Sequence, residues 1–208
     1  ALIQKKDADE EDFSSIFYLS LGVAAVMYIT IYILAPMIAN YYEEQSLAPI
    51  LRVLSLSLFA GAFNSIQNAV VSRNLFFKKL FKSSLGAIII SGTLGVFAAY
   101  KGLGIWALVI QHLVNQLSIT IIMWFTVKWR PKLVFSMSKV RKLFSFGWKL
   151  LASSLLNELY IELRTLIIGK KYTSSTLGYY DKGQQFPKVI VSNVDGSIQS
   201  VMLPTLSA

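Results

Sequence analysis

The residues most able to do chemistry are six polar side chains near the end of the chain, which recur at helical spacing. They are separated by four, three, four, three and four residues, in the order Asp181, Gln185, Lys188, Ser192, Asp195 and Gln199. Residues at such intervals lie on one face of an α-helix. Lipid tolerates a polar stripe poorly, so we expect this face to meet protein or water.

The preceding segment also carries charges, on two faces. Glu158 and Glu162 share one face, and Arg164 lies on another together with Asn157 and Tyr160. One interpretation is that these charges form ion pairs that only fix the register of the helices. The other is that they line a water-filled cavity that handles a substrate. We favour the cavity because two neighbouring segments show the same feature.

Amide side chains recur earlier in the chain. Asn64 and Asn68 share a helical face, with Gln67 beside them, and Gln111 and Asn115 share a face in a later segment. Such groups either form hydrogen bonds between helices or contact a substrate. The sequence leaves both interpretations open.

Covalent and metal chemistry find no support in the residue types. The chain has no cysteine and one histidine, His112, which removes thiolate catalysis, disulfides and Cys- or His-rich metal sites. No Ser–His–carboxylate spacing and no glycine-rich phosphate loop stands out. The acidic run from Asp7 to Asp12 is interpreted as a solvated helix start. We therefore predict no catalytic residue, no cofactor and no metal, and a protein that is not an enzyme.

The elements that position these residues are long apolar segments. Of the 208 residues, 54% are hydrophobic and 15% charged, whereas soluble domains are about a quarter charged. Residues 13–42, 53–72, 83–100 and 102–127 are free of charge if His112 is neutral, and 141–171 and 174–206 are long segments with some charges. A spanning helix needs about 20 apolar residues. The sequence predicts an all-α, polytopic membrane helix bundle of about six transmembrane helices.

The chain has 20 Lys and Arg residues and 11 Asp and Glu residues. The basic residues are distributed as in a membrane protein. Short basic clusters alternate with loops that hold few or none, so the basic loops and the start of the chain are predicted to be cytoplasmic. Nucleic-acid binding would instead need Lys and Arg gathered on one accessible face. We predict no nucleic-acid partner.

Proline and glycine positions predict local features of the spans. Pro49 falls in the first turn of the second span, where its missing N–H costs little. Pro36 lies inside the first span and predicts a kink, with neighbouring groups satisfying the freed carbonyl. Gly86, Gly92 and Gly95 in the third span are interpreted as residues that let helices pack closely.

Seven stretches carry a resemblance to a known family, over essentially the whole chain. They are ALIQKKDADEEDFSSIF, LAPILRVLSLSLFAGAFNSIQNAVVSRNLFFKKL, GLGIWALV, FGWKLLASSLLN, LRTLIIGKKY, LGYYDKGQQFP and DGSIQSVMLPTLS. In their order and spacing they resemble the bacterial polysaccharide flippases, which are the lipopolysaccharide and O-antigen repeat-unit exporters of the multidrug/oligosaccharidyl-lipid/polysaccharide superfamily. The resemblance implies a larger transporter of two helical bundles, of which this chain looks like an internal fragment. Residues 1–129 would then supply helices of the first bundle and 130–140 a cytoplasmic linker. Residues 141–208 would supply two further helices, with the second bundle beginning near the end.

The resemblance implies a task. Such proteins move an undecaprenyl-diphosphate-linked oligosaccharide from the inner to the outer leaflet of the bacterial cytoplasmic membrane, with a polysaccharide polymerase and other assembly proteins as expected partners. From the helical faces, Arg164 and Lys188 are candidates for binding the phosphate. The amide candidates for sugar contact are Asn64, Gln67, Asn68, Gln111, Asn115, Gln185 and Gln199. The carboxylates expected to bind a coupling cation or balance charge are Glu158, Glu162 and Asp195.

Three alternatives stay open. A drug/cation antiporter of the same superfamily would have a cavity rich in carboxylates and aromatic residues. A membrane-embedded transferase acting on a polyprenyl-linked sugar would need a clustered acid/base or metal site. A scaffold without transport activity would bury the polar stripe in contacts between helices.

Overall fold

The computed structural model describes residues 9–73, 77–127, 129–173, 175–185, 187–188 and 191. Six helices occur in chain order: α1 (Glu10–Tyr41), α2 (Leu47–Leu54), α3 (Ser57–Arg73), α4 (Phe77–Tyr100), α5 (Ile105–Thr126) and α6 (Met137–Lys171). A further helix, α7 (175–185), follows. No strand occurs within these ranges, so the predicted all-α class is confirmed.

The chain divides into two compact units. Unit 1 is Ala1–Leu151 and unit 2 is Ala152–Ala208. In unit 1, α4 packs most extensively on α5, while α1 contacts α2 and α3. Unit 2 holds the remainder of α6 and α7.

Four helical segments are long and apolar enough to cross a membrane: Glu10–Tyr41, Leu47–Val71, Lys78–Tyr100 and Ile105–Thr126. They match the four charge-free spans predicted from the sequence. The predicted fifth span is helical within α6 but does not belong to this group, because polar side chains such as Lys149, Asn157 and Glu158 lower its hydropathy. The predicted sixth span, 174–206, lies largely outside the described residues. The sequence predicted about six spans. In the described part of the chain, four helical segments meet the length and composition that a span requires.

The second span is two helices with a turn between them. Helix α2 begins at Leu47, with Pro49 in its first turn as predicted, and ends at Leu54. Ser55 and Leu56 form the turn before α3, and the Ser55 hydroxyl donates to the Arg52 carbonyl over 2.9 Å. The span therefore begins earlier than the charge-free run, and Arg52 lies inside it.

The start of α1 is capped by its own acidic residues. Asp9 Oδ1 accepts from the Asp12 backbone N–H over 2.8 Å, and Asp12 Oδ2 accepts from the Asp9 N–H over 3.1 Å. This reciprocal pair satisfies two backbone donors at the helix start, which confirms that the acidic run opens a helix. The prediction that this run is simply solvated is wrong for Asp12, whose exposed fraction is 0%.

Helix α1 continues through Pro36. Proline has no N–H to donate to the carbonyl four residues earlier, which belongs to Tyr32. Arg52 Nε donates to this carbonyl oxygen over 3.3 Å. A neighbouring helix thus satisfies the carbonyl that Pro36 frees, as predicted.

Close approach between α4 and α5 depends on two glycines. A Cβ atom at Gly95 would lie 2.9 Å from Gln111 Cβ, and one at Gly86 would lie 3.1 Å from Ile122 Cδ1. Around Gly92 nothing lies within 4 Å of such an atom. The packing interpretation therefore holds for Gly86 and Gly95, whereas Gly92 faces open space.

Candidate functional site

The hairpin of unit 2 brings two of the predicted polar segments together. Tyr172 N–H donates to the Ile168 carbonyl over 2.9 Å, which completes the last turn of α6. The Thr173 hydroxyl then accepts from the Thr176 N–H over 3.3 Å, which caps the start of α7. As a result, residues of α6 and of the segment that begins with α7 line the same clefts.

The larger cleft of unit 2 has a volume of about 500 Å³. Its lining residues are Tyr160, Ile161, Arg164, Gly183, Gln184, Pro187, Lys188 and Val191. Arg164 and Lys188 are the charged members of this lining, so the two cations predicted to bind phosphate face one space. We call it the cationic cleft. Two positive charges, with no carboxylate among the described lining residues, favour an anionic ligand.

A smaller cleft of about 350 Å³ adjoins the cationic cleft and shares Ile161, Gln184 and Lys188 with it. Its other lining residues are Glu162, Thr165, Asp181, Lys182 and Gln185. We call it the mixed cleft, because it combines both signs of charge with an amide and a hydroxyl. Such a lining offers both donors and acceptors, which suits a ligand with several hydroxyl groups.

Of the remaining candidates in unit 2, Glu162 and Gln185 lie in the mixed cleft, where Gln185 Oε1 accepts from Lys182 Nζ over 3.1 Å. Glu158 is exposed on α6 and lines neither cleft. Asp195 and Gln199 lie outside the described residues.

Sequence reasoning did not select Tyr160 and Gln184 as site residues. Tyr160 lines the cationic cleft, Gln184 lines both clefts, and Gln184 Nε2 donates to the Tyr180 hydroxyl over 2.5 Å. Gln184 was missed because it lies beside the periodic stripe and not on it. Tyr160 shares a face with Arg164, and that shared face was the available signal.

The amide candidates of unit 1 sit in a different setting. Gln67 has an exposed fraction of 1% and its Nε2 donates to the Trp129 carbonyl over 3.4 Å. Asn64 is also buried, whereas Asn68 is exposed. Asn115 Nδ2 donates to Ser91 Oγ over 3.1 Å, which joins α5 to α4.

Gln67, Gln111 and Asn115 therefore make contacts between segments of the first unit. Gln111 does so by packing against Gly95 of α4. The Oδ1 of Asn64 and the Oε1 of Gln67 are buried and have no hydrogen-bond partner in the described part of the chain. A contact between these amides and a glycan stays a prediction.

The segment predicted as a linker packs on the start of α1. Lys132 N–H donates to Ser14 Oγ and Ser136 N–H donates to Ser15 Oγ, each over 3.0 Å. Both serines are completely buried. Nearby, Trp129 packs against Phe13 and Phe17. We call this contact region the α1 joint.

Ion pairs complete the α1 joint. Lys139 Nζ lies 2.5 Å from Asp9 Oδ2 and 2.6 Å from Glu11 Oε2, and Lys132 pairs with Glu10. The hydrogen bond from Lys139 lowers the pKa of Asp9 to about 2. The hydrogen bonds to Asp9 and Glu11 raise the pKa of Lys139. Sequence reasoning missed these pairs because their partners are more than a hundred residues apart.

Helices of spanning length and no strand in the described residues define a polytopic α-helical membrane protein. The family model described as "Polysaccharide biosynthesis protein" matches residues 1–208, and the chain belongs to this family. This confirms the resemblance found in the sequence.

Three curated relatives match nearly the whole chain. The teichuronic acid biosynthesis protein TuaB of Bacillus subtilis is 26% identical over 98% of this chain and 43% of its own length. The succinoglycan biosynthesis transport protein ExoT of Rhizobium meliloti is 24% identical over 99% of this chain and 42% of its own length. The lipopolysaccharide biosynthesis protein WzxC of Escherichia coli is 23% identical over 100% of this chain and 42% of its own length.

The chain therefore spans less than half the length of the curated relatives it matches. No solved structure matches it. Taken together, the family and the four membrane-capable helices identify a membrane protein whose relatives act in polysaccharide biosynthesis and transport.

Proposed function

We propose that the protein containing this chain is a flippase that moves an undecaprenyl-diphosphate-linked oligosaccharide across the bacterial cytoplasmic membrane. The three relatives support this, because all of them are named for the biosynthesis of a polysaccharide and one is named a transport protein. Such a protein works by alternating access of two helical bundles. No covalent step is required, so the protein is not an enzyme.

The observation that carries the proposal is the cationic cleft. Arg164 and Lys188 come from two helical segments and line one space, and none of the described residues that line it is a carboxylate. Arginine and lysine are the side chains that pair with phosphate. A diphosphate needs such a partner once it leaves the aqueous interface, because an uncompensated charge is costly to bury.

The mixed cleft supports the second half of the proposal. A glycan offers many hydroxyl groups, and Thr165 and Gln185 provide donors and acceptors next to the cationic cleft. The shared Lys188 places the two clefts side by side, as a diphosphate and its attached sugar require. The antiporter alternative predicted a cavity rich in carboxylates and aromatic residues, which the lining of the cationic cleft does not match.

Several finer assignments belong to this proposal. Asn68, exposed on α3, and Gln185 are proposed to contact sugar, while Glu158, Glu162 and Asp195 bind a coupling cation or balance the positive charges. The basic loops and the start of the chain are placed on the cytoplasmic side. Residues 130–140 connect the bundles on that side, and a polysaccharide polymerase is an expected partner.

The test is complementation of a strain that lacks the full-length protein. We expect Arg164→Ala and Lys188→Ala each to reduce surface polysaccharide strongly, because each removes a charge that faces the diphosphate. Arg164→Lys and Lys188→Arg should retain part of the activity. Lys149→Ala, also exposed on α6 but outside both clefts, is the matched control. Unchanged polysaccharide in both alanine variants would refute the assignment.

A further inference from the structure

Arg52 is a charged residue inside a membrane-capable segment, Leu47–Val71. Its Nε donates to the Tyr32 carbonyl over 3.3 Å, and its Cζ lies 4.3 Å from the centre of the Tyr32 ring. The carbonyl is the one that Pro36 leaves without a helical donor. These contacts fix the guanidinium against α1. The Tyr32 carbonyl needs a donor from another helix because Pro36 has no N–H.

The guanidinium lies inside the span. Arg52 comes five residues after the start of its segment, and Tyr32 comes nine residues before Tyr41, where α1 ends. These separations correspond to about 8 and 13 Å along a helix axis. Around it, Ile29 and Ile33 of α1 have exposed fractions of 56% and 63%. Such exposed apolar side chains are expected at the depth of the hydrocarbon core, which is about 30 Å thick.

The contacts of Arg52 use only part of its capacity. A guanidinium has five N–H donors, and the bond to Tyr32 occupies the one on Nε. Within the described ranges no carboxylate pairs with Arg52. A neutral donor would suffice for the Tyr32 carbonyl, and the Tyr32 ring contacts only one face of the guanidinium, so the terminal nitrogens remain to be explained. Arginines at membrane depth mark substrate or ion pathways when packing does not account for them.

We propose that Arg52 is a phosphate-binding residue of unit 1, which receives the diphosphate of a polyprenyl-linked glycan during transit. The terminal nitrogens form a planar fork that matches two phosphate oxygens. Bonding of Nε to Tyr32 holds this fork in place before the ligand arrives. The phosphates of ordinary phospholipids stay at the headgroup level, whereas a transported diphosphate must pass the depth at which Arg52 lies.

This inference rests on the proposed function for its ligand, but it uses none of the residues of the cationic cleft. It assigns an additional anion position in unit 1. Arg52 was not predicted as a site residue from the sequence. It directly precedes a charge-free run, and a charged residue at that position indicates the end of a span.

The experiment uses the purified full-length protein and three variants, Arg52→Gln, Arg52→Lys and Pro36→Ala. Thermal stabilisation by undecaprenyl diphosphate is titrated and compared with stabilisation by phosphatidylglycerol. Transport of a lipid-linked oligosaccharide is measured in proteoliposomes alongside. We expect Arg52→Gln to weaken the apparent affinity for the diphosphate about tenfold or more, as loss of a charged hydrogen bond does. Arg52→Lys keeps the charge but loses the planar fork and the Nε donor to Tyr32, so it should retain only part of the affinity.

The Pro36→Ala background separates ligand binding from a purely structural role. It returns an N–H to the Tyr32 carbonyl, so Arg52 is no longer needed there. If Arg52→Gln in this background still weakens diphosphate binding, the charge itself is required. If the double variant binds like Pro36→Ala alone, Arg52 acts only through the helix and the proposal is overturned.

Two other results would overturn the proposal without touching the proposed function. One is equal diphosphate affinity in Arg52→Gln and the wild type with normal transport, which would point to a counter-charge from elsewhere in the protein. The other is a loss of stabilisation by phosphatidylglycerol alone, which would assign Arg52 to a bilayer phosphate. A wild type that binds diphosphate but moves no oligosaccharide would refute the flippase function and leave the binding assignment standing.

Discussion

The ammonium of Lys139 lies 2.5 Å from a carboxylate oxygen of Asp9, although 130 residues separate the two in the chain. Asp9 is the N-cap of α1, and Lys139 lies in the first turn of α6. The pair therefore ties the starts of two helices together inside unit 1. The backbone of the connecting segment adds hydrogen bonds to Ser14 and Ser15, so the α1 joint is both ionic and hydrogen-bonded.

A double-mutant cycle measures the ionic part of the joint. Lys139→Gln and Asp9→Asn should each lower the thermal unfolding midpoint in detergent, and the double variant should lose less than the sum, because both remove one interaction. Asparagine still caps a helix, so Asp9→Asn tests the charge and not the cap. Lys149→Gln, on α6 but outside the joint, should have little effect. Strict additivity of the two changes would show that the pair contributes nothing.

The lowered pKa of Asp9 predicts a pH dependence. Its pKa falls from 3.8 to about 2 in the folded protein because Lys139 hydrogen-bonds to the carboxylate. A carboxyl group with a lowered folded pKa contributes stability above its unfolded pKa and loses it as pH falls through the folded value. The difference in midpoint between the wild type and Asp9→Asn should thus be constant from pH 5 to 8 and shrink from about pH 4 to pH 2. A difference that grows on acidification would contradict this.

The buried serine of the joint gives a second stability prediction. Ser14→Ala removes the acceptor of the Lys132 N–H at a completely buried position. Because Lys132 is itself exposed, water can reach the freed N–H, so the cost is that of an ordinary hydrogen bond, about 0.5–1.5 kcal/mol. Denaturant or thermal unfolding should show a loss of that size. Ser65→Ala is the matched control, because its hydroxyl bonds only within α3 and the residue is exposed. Equal stability of the two variants would argue against the joint.

The two glycines of α4 predict opposite outcomes for one substitution. Gly95→Ala places a Cβ atom 2.9 Å from Gln111 Cβ, which belongs to a rigid part of that side chain. Gly92→Ala meets nothing within 4 Å and gains up to about 1 kcal/mol of helix propensity. Overpacking costs about 1–3 kcal/mol, so Gly95→Ala should be the less stable variant by roughly that amount. A thermal midpoint for Gly95→Ala at or above that of Gly92→Ala would show that α5 can move away from α4 at little cost in stability.

Features that depend on one short stretch could be predicted from the sequence. The charge-free runs predicted the four membrane-capable segments because length and hydropathy decide whether a helix can span. Pro36 predicted a freed carbonyl, since the missing N–H is a property of proline itself. The acidic start of α1 was predicted as well, because Asp9 and Asp12 cap the helix through bonds three residues apart.

Partners from distant parts of the chain could not be predicted. The donor to the Tyr32 carbonyl comes from Arg52 on another helix, and the counter-ions of Asp9 and Glu11 come from Lys139. Gly92 and Gly95 looked alike in the sequence, and only the position of Gln111 on α5 distinguishes them. In unit 2 the polar stripe predicted that Lys188 and Gln185 are site residues. Gln184 does not lie on the face of this stripe, yet it lines both clefts.

By itself, then, the sequence determined that this protein is a set of membrane-capable helices with a polar end segment, because hydropathy and helical period act along the chain. The tertiary structure alone decided which polar groups meet. It placed Arg164 and Lys188 in one cleft, buried Gln67 against Trp129 and set Arg52 on Tyr32. The physical reason is that hydrogen bonds and ion pairs act over a few ångströms in space, whatever the distance along the chain.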